Sequence, residues 1–281
     1  MLKKPAIPGR FSLLFSFVVW FLTVSLLIRI IFFIWQYDEV SFNALTLLGI
    51  LFTGLFFDIG TVSFIILPAV LYYAVFPNKW IGSWADKILV WFFTSLTLFI
   101  LVFTFFAELT FWDEFKTRFN FIAVDYLIYT HGVLANIEQS YPIPLLVSGV
   151  ALITVLVLFV FHKRKAFRNT FTHRATLKQR ITALGICAVA SLFFATFITN
   201  IQAEWSGNRY NSEISKSGIY SFFAAFSNNQ MEYREFYISM ENEKAFGIIR
   251  NKLKIGNSSF NNQDNKDGFG SSTSLFFNNK L

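Results

Sequence analysis

The stretch ILVWFFTSLTLFILVFTFFA, residues 88–107, contains no charged residue and is long enough to cross a lipid bilayer as one helix. A helix needs about 20 apolar residues to span a hydrocarbon core of about 30 Å. The rest of the chain is similar, since 54% of its 281 residues are hydrophobic, only 15% are charged and 38 are phenylalanine. A soluble domain of this size carries more charge on its surface. The sequence therefore predicts an all-α integral membrane protein.

Four other apolar segments meet the length requirement for a membrane span. The second of them, residues 42–76, is interrupted by Asp58, Gly60 and Pro68. These interruptions predict a short interfacial helix over 43–57, followed by a span over 60–76. The predicted spans are then residues 11–35, 60–76, 88–107, 143–161 and 181–199.

Lysine and arginine are distributed unevenly between the segments that flank the spans. Twelve fall in the amino terminus, the loop after the second span and the loop after the fourth span. These are Lys3, Lys4, Arg10, Lys79, Lys87, Lys163, Arg164, Lys165, Arg168, Arg174, Lys178 and Arg180. The opposite short loops hold only Lys116 and Arg118, together with six acidic residues. The positive-inside rule therefore predicts a multi-pass membrane protein with a cytoplasmic amino terminus and an extracytoplasmic carboxyl terminus.

The residues after the last span differ in composition from the spans. Residues 201–254 still contain aromatic clusters and are predicted to form an extracytoplasmic juxtamembrane segment. Residues 255–281 are rich in Asn, Ser and Gly, a composition that cannot bury an apolar core. The sequence predicts that this tail is disordered.

Charged residues in apolar segments are candidate sites, because a charge at membrane depth is costly. Arg29 could reach the nearer membrane interface as an anchor to lipid phosphate, or face the bundle as a partner for Asp58. Asp58 could cap a helix that begins near Gly60, or pair with Arg29 or a lipid head group. Glu108 follows the third span and is expected to be a solvated helix end rather than a proton relay.

A catalytic role finds little support in the residues themselves. His131, His162 and His173 show no metal-ligand spacing, and neither a phosphate-binding glycine loop nor a GxSxG motif occurs. Cys187 is the only cysteine, and its apolar surroundings favour a buried thiol. The net charge is +7, but the basic residues are distributed as in a membrane protein, which argues against nucleic-acid binding.

The segment RFNFIAVDYLIYTH, residues 118–131, begins a predicted amphipathic helix over 121–139. Helical spacing places Asp125, Tyr129 and Asn136 on one polar stripe, while His131 falls on the apolar face. Tyr126 and Tyr129 would lie at head-group depth. The segment is expected to lie on the outer membrane face, either as a linker without a ligand or as a docking surface. Candidate residues for binding a lipid head group or a domain are Arg29, Asp58, Arg118, Asp125, Tyr126, Tyr129, His131 and Asn136.

Three segments carry a resemblance to a known family. RFNFIAVDYLIYTHGVLANIEQSYP (118–142), GLFFDIGTVSFIILP (54–68) and NRYNSEISKSGIYSFFAAFSNNQMEYREFY (208–237) are similar to membrane-domain segments of bacterial lipoteichoic acid synthase-like proteins. That family comprises membrane-bound phosphoglycerol transferases and related sulfatase-fold proteins. The resemblance covers about residues 8 to 250, and it implies a location in a bacterial cytoplasmic (inner) membrane.

The resemblance implies five spans that hold an extracytoplasmic sulfatase-like catalytic domain with manganese and a threonine nucleophile. Manganese is expected only in that domain. No catalytic residue of the family can be matched to a position in this chain, so the chain alone is expected to be inactive. We therefore expect a membrane-anchoring domain from a truncated gene product or a stand-alone module. The alternative is a complete, regulatory lipid-binding protein. The expected partners are anionic phospholipids such as phosphatidylglycerol and a sulfatase-like domain.

Overall fold

The computed structural model describes residues 9–41, 43–128 and 143–228, and within these ranges the chain is helical without a strand. Five helices are long and apolar enough to cross a membrane, which confirms the predicted number. They are α1 (Ser12–Trp35), α2 (Ala44–Val75), α3 (Trp84–Phe115), α5 (Ile143–Lys163) and α7 (Leu177–Phe197). The shorter helices are α4 (Phe121–Ile128), α6 (Ala166–Thr172), α8 (Arg209–Ser215) and α9 (Gly218–Asn228).

Helix α2 lies at the centre of the bundle, because it packs against α1, α7, α8 and α9. Helix α3 packs against α1 and α5. The outward face of α5 is apolar and exposed at Leu152, Val155 and Phe159. A soluble protein would cover such a surface, whereas lipid tails solvate it without cost.

The break predicted within the second apolar stretch is wrong. Residues 44–75 form one continuous helix, with Pro68 inside it, so the interfacial helix 43–57 and the span 60–76 are not separate elements. The helix begins at Asn43, whose side chain accepts a hydrogen bond from the Thr46 N–H at 2.7 Å. Asp58 does not cap a helix start, because it lies inside α2 and its charge is balanced by Arg29.

Helix α3 extends beyond the uncharged stretch 88–107 at both ends. Ser83 caps its first turn by accepting from the Asp86 N–H at 3.3 Å, and Lys116 ends it in the left-handed conformation with φ 53°. A helix of 32 residues is about 48 Å long, which exceeds a hydrocarbon core of about 30 Å. Its ends therefore project past the apolar layer.

Aromatic rings fill much of the core. Phe32 and Trp112 stack at a centroid distance of 4.1 Å, and both are fully buried. Trp91 and Phe167 stack at 3.7 Å, which fixes the short helix α6 against α3. The first pair therefore joins α1 to α3, and the second joins α3 to the short helix α6.

Two predicted segments are described in part. The predicted interfacial helix 121–139 is seen as α4 up to Ile128, and residues 129–142 lie outside the described residues. The predicted juxtamembrane segment 201–254 is described as far as residue 228, where it forms α8, α9 and a short turn over Asn200–Ala203. The predicted tail 255–281 lies outside the described residues.

Candidate functional site

One polar buried region among the described residues is a group of charged side chains that we call the Arg29 cluster. It consists of Arg29, Asp58, Glu108, Arg118, Glu213 and Lys216. Arg29 of α1 and Asp58 of α2 form its first ion pair, with 2.8 Å between Nη1 and Oδ2, and their side chains are only 2% and 3% exposed. A buried carboxylate or guanidinium is tolerated only when it is paired, so each of these residues requires the other.

Gly54 makes room for this ion pair. It lies one turn before Asp58 on α2, and a Cβ atom built at Gly54 would overlap the guanidinium of Arg29. A residue without a side chain therefore permits the close approach of Arg29 to the backbone of α2.

Arg118 and Glu108 form the second buried ion pair. The chain reverses at Lys116, just beyond α3, so that the side chain of Arg118 returns to the carboxylate of Glu108 on that helix. The Arg118 guanidinium also lies over the ring of Phe32, 4.7 Å from its centroid. A Cβ atom at Gly218 would overlap the Glu108 carboxylate, so α9 approaches this pair through a glycine.

Both arginines donate to the carboxyl end of helix α8. Arg29 Nε and Arg118 Nη2 donate to the carbonyl oxygen of Ile214, at 3.0 and 3.3 Å. Arg118 Nε also donates to the Glu213 carbonyl at 3.4 Å. The last carbonyls of a helix lack helical partners and carry partial negative charge, so two guanidinium groups stabilise this end.

Glu213 and Lys216 complete the cluster. Glu213 accepts from the backbone N–H of Arg118 at 3.0 Å and from Lys216 Nζ at 2.7 Å, and Lys216 Nζ also donates to Glu204 at 3.0 Å. Burial acts to lower the pKa of Lys216, but the two glutamates outweigh it, so the pKa is raised above its usual value. Three buried cations thus meet two buried carboxylates and the part-buried Glu213, and the six charges of the cluster balance.

A small polar cavity adjoins the cluster, with a volume of about 10 Å³. Asp58, Glu108, Arg118, Ser25 and Ser217 contribute to its lining. This volume accommodates about one water molecule and excludes a lipid head group or a sugar. Among the described residues there is no group of three or more acidic, histidine or cysteine side chains that could hold a metal ion.

The predicted site residues have different locations in the structure. Arg29, Asp58 and Arg118 converge in the Arg29 cluster and are nearly inaccessible to solvent. Arg29 is therefore Asp58's partner and not an anchor to lipid phosphate. The solvated helix end predicted at Glu108 is wrong, because this residue is 2% exposed and paired with Arg118.

The remaining candidates do not join the cluster. Asp125 and Tyr126 lie on α4, where Tyr126 is 40% exposed and its ring packs edge-on against Phe115. Tyr129, His131 and Asn136 lie outside the described residues. Sequence reasoning did not identify Glu213 or Lys216, although the spacing of opposite charges three residues apart was available as a signal.

A second buried ionic group, the Arg10 cluster, was not predicted from the sequence. Arg10 and Asp86 are fully buried and form a bidentate pair with two N–O distances of 2.9 Å. The Asp86 carboxylate also accepts from the Tyr72 hydroxyl at 2.9 Å and the Gly82 N–H at 2.8 Å. Arg10 further donates to the Thr170 carbonyl at 3.1 Å, which links α6 to the start of α1.

The two clusters are separated by approximately one membrane thickness. Asp86 and Glu108 are 22 residues apart on α3, which corresponds to about 33 Å along a helix. A hydrocarbon core is about 30 Å thick, so a bilayer crossed by α3 would have one cluster near each of its surfaces. We call the corresponding ends of the bundle the Arg10 end and the Arg29 end.

No protein-family model, curated protein or solved structure matches the chain.

Proposed function

We propose that the chain is the membrane-anchoring module of a lipoteichoic acid synthase-like protein in a bacterial cytoplasmic membrane. The supporting observation is that three distant segments, which carry the resemblance to that family, meet in one place. Asp58 comes from 54–68, Arg118 from 118–142, and Glu213 and Lys216 from 208–237. Phosphoglycerol transfer or sulfatase-like hydrolysis would then belong to a domain other than this bundle.

The role that we assign to the Arg29 cluster is to fix the segment after the last span. The carbonyl groups of Glu213 and Ile214 in this segment accept hydrogen bonds from Arg29 of α1 and from Arg118. Trp205 adds to this, since its indole N–H donates to Ser215 at 3.2 Å and its ring lies against Gly49 of α2. A domain that follows this segment would therefore have a defined position above the membrane.

The distribution of charge supports an amino terminus in the cytoplasm. Among the described residues, eight exposed lysines and arginines lie at the Arg10 end, while the acidic residues other than Asp86 lie at or beyond the Arg29 end. Cytoplasmic flanks carry the excess of positive charge. This orientation makes the Arg29 end extracytoplasmic, where a lipid-linked polymer would be assembled.

Orientation can be tested with reporter fusions to the complete chain. We expect alkaline phosphatase joined after Leu281 to be active and a fluorescent protein at the same place to be dark in cells that export proteins by the Sec pathway. The reverse pattern would contradict the orientation.

The anchoring role can be tested in a bacterium that lacks its own lipoteichoic acid synthase. We would join the complete chain to a catalytic domain of the family and measure polymer in the membrane fraction. The control carries the same domain on an unrelated single-span anchor, at matched abundance. More polymer with the five-helix module is the expected result. Equal amounts would contradict a positioning role and favour a regulatory lipid-binding protein.

A further inference from the structure

The Arg10 end of the bundle presents a concentrated positive charge. Eight basic side chains of the described ranges are exposed there, on the loop before α3, the start of α3 and the segment from α5 to α7. They are Lys79, Lys87, Lys163, Arg164, Lys165, Arg168, Arg174 and Lys178, and we call them the basic surface. Within the described part of the chain, none of them forms an ion pair with a carboxylate.

The protein supplies no countercharge of its own at this end within the described residues. The nearest carboxylate, Asp86, is fully buried and its two oxygens are engaged by Arg10, Tyr72 and Gly82. Eight like charges on one face repel one another and destabilise the compact state unless anions gather there. The composition of this surface therefore calls for an anionic ligand.

The backbone beneath the basic surface is held in place by buried contacts. Arg10 donates to the Thr170 carbonyl at 3.1 Å, and the Thr170 hydroxyl accepts from the Leu13 N–H at 3.1 Å. Phe167 stacks on Trp91, so α6 is fixed to both α1 and α3. Because these segments are already ordered, binding a ligand does not require the backbone to be ordered first.

Apolar side chains at the border of the basic surface show where the ligand must lie. Trp84, at the first position of α3, is 80% exposed, and Trp80 is 56% exposed. Leu177 and Ile181, on either side of Lys178 on α7, are 71% and 62% exposed. Exposed tryptophans beside exposed aliphatic residues are typical of the membrane interface. The cations therefore lie at the depth of lipid head groups, next to hydrocarbon.

We infer that the basic surface binds the head groups of anionic phospholipids in the adjacent leaflet. The phosphate oxygens accept hydrogen bonds from lysine and arginine, and the acyl chains lie against Trp84 and Ile181. A soluble polyanion such as RNA would satisfy the charge but not the apolar border. The inference requires only that the five helices cross a bilayer, so it is independent of the family proposal and of the orientation that the reporters test.

The test uses the complete chain reconstituted in phosphatidylcholine vesicles that contain phosphatidylglycerol. Bromine on the acyl chains quenches nearby tryptophans and is placed on one lipid or the other. The contribution of Trp80 and Trp84 is obtained by subtracting the signal of a Trp80→Phe/Trp84→Phe variant. We expect phosphatidylglycerol to be preferred at least ~5-fold, the effect of about one basic side chain at a charged surface. The preference should disappear at high ionic strength, because salt screens exposed charges.

A charge-neutralised variant and a matched control make the test specific. Lys163→Gln/Arg164→Gln/Lys165→Gln/Arg168→Gln should lower the preference towards equal binding of the two lipids. Lys116→Gln/Arg209→Gln, which removes cations at the Arg29 end, should leave it unchanged. Equal quenching by the two lipids in the unmodified chain would overturn the inference. A preference that is undiminished in the fourfold variant would also overturn it, as would RNA binding in a chain without lipid preference.

Discussion

Arg29 and Arg118 donate to the same acceptor, the carbonyl oxygen of Ile214, at 3.0 and 3.3 Å. One arginine comes from the first long helix and the other from the turn after the third. Each has its own carboxylate, Asp58 or Glu108, so the shared carbonyl joins two ion pairs into one network. If the segment that contains Ile214 moved away, Arg29 Nε and Arg118 Nη2 would each lose this buried acceptor.

The first prediction concerns the Arg29–Asp58 ion pair. We expect Asp58→Asn to lower the free energy of unfolding by about 3–5 kcal/mol, because it leaves the buried charge of Arg29 without a partner. The measurement is detergent-induced unfolding of the purified chain, followed by tryptophan fluorescence.

A double-variant cycle provides the control for this prediction. Arg29→Met/Asp58→Leu should lower the free energy of unfolding less than Arg29→Met or Asp58→Leu alone, since no unpaired charge remains. Asp113→Asn breaks the exposed pair with Lys116 (N–O 3.3 Å, side chains 68% and 42% exposed) and should change stability by about 1 kcal/mol or less. A loss from Asp58→Asn no larger than that from Asp113→Asn would contradict the prediction.

The second prediction concerns two glycines that admit charged side chains. We expect Gly54→Ala and Gly218→Ala to destabilise the protein by about 1–3 kcal/mol, because the added methyl group overlaps Arg29 or Glu108. Gly149→Ala and Gly185→Ala are matched controls in helices α5 and α7, where an added Cβ meets no atom within 4 Å. These controls should be neutral or slightly stabilising, since alanine favours a helix. Thermal unfolding in detergent compares the four variants, and equal losses would contradict the prediction.

The long helices were predictable because apolarity over a bilayer length is a property of consecutive residues. The partners of buried charges were not, because they depend on which helices become neighbours. Asp58 was expected to interrupt its helix, and its pairing with Arg29 was one of several alternatives that the sequence left open. Glu108 is paired because the left-handed turn at Lys116 brings Arg118 back to it. A glycine at this position would have indicated such a turn, but a lysine does not.

Arg10 and Asp86 illustrate the same limit at the other end of the bundle. Arg10 was counted as one of many cytoplasmic charges, and Asp86 was not considered. In the structure both are fully buried, while the other described basic residues of that end, apart from Arg180, are exposed. Charge counting therefore identifies the end of the bundle but does not distinguish a structural ion pair from a surface charge.

The third prediction concerns the pH dependence that Lys216 contributes. Its pKa is raised in the folded state, because Glu213 and Glu204 outweigh the effect of burial. A raised pKa stabilises the fold below the unfolded value, near 10.4, and this contribution is lost as the pH rises through the folded pKa. The difference in stability between the unmodified chain and Lys216→Met should therefore be constant near neutral pH and decrease only above about pH 10.4. A difference in stability that decreases between pH 6 and pH 9 would contradict a raised pKa of Lys216 in the folded state.

The last prediction concerns protease access to the segment held by the Arg29 cluster. Arg209 is exposed, whereas Lys216 is only 8% exposed and paired with two glutamates. In the unmodified chain, trypsin should cleave after Arg209 far faster than after Lys216, because cleavage at a buried site requires local opening. Asp58→Asn should raise the rate of cleavage after Lys216 at least ~10-fold if it weakens docking by about 1.4 kcal/mol or more. Mass spectrometry of early digests measures both rates, and cleavage after Lys163 serves as the internal reference at the other end. A rise at both sites would indicate global unfolding, and an unchanged rate after Lys216 would show that the ion pair does not hold the segment.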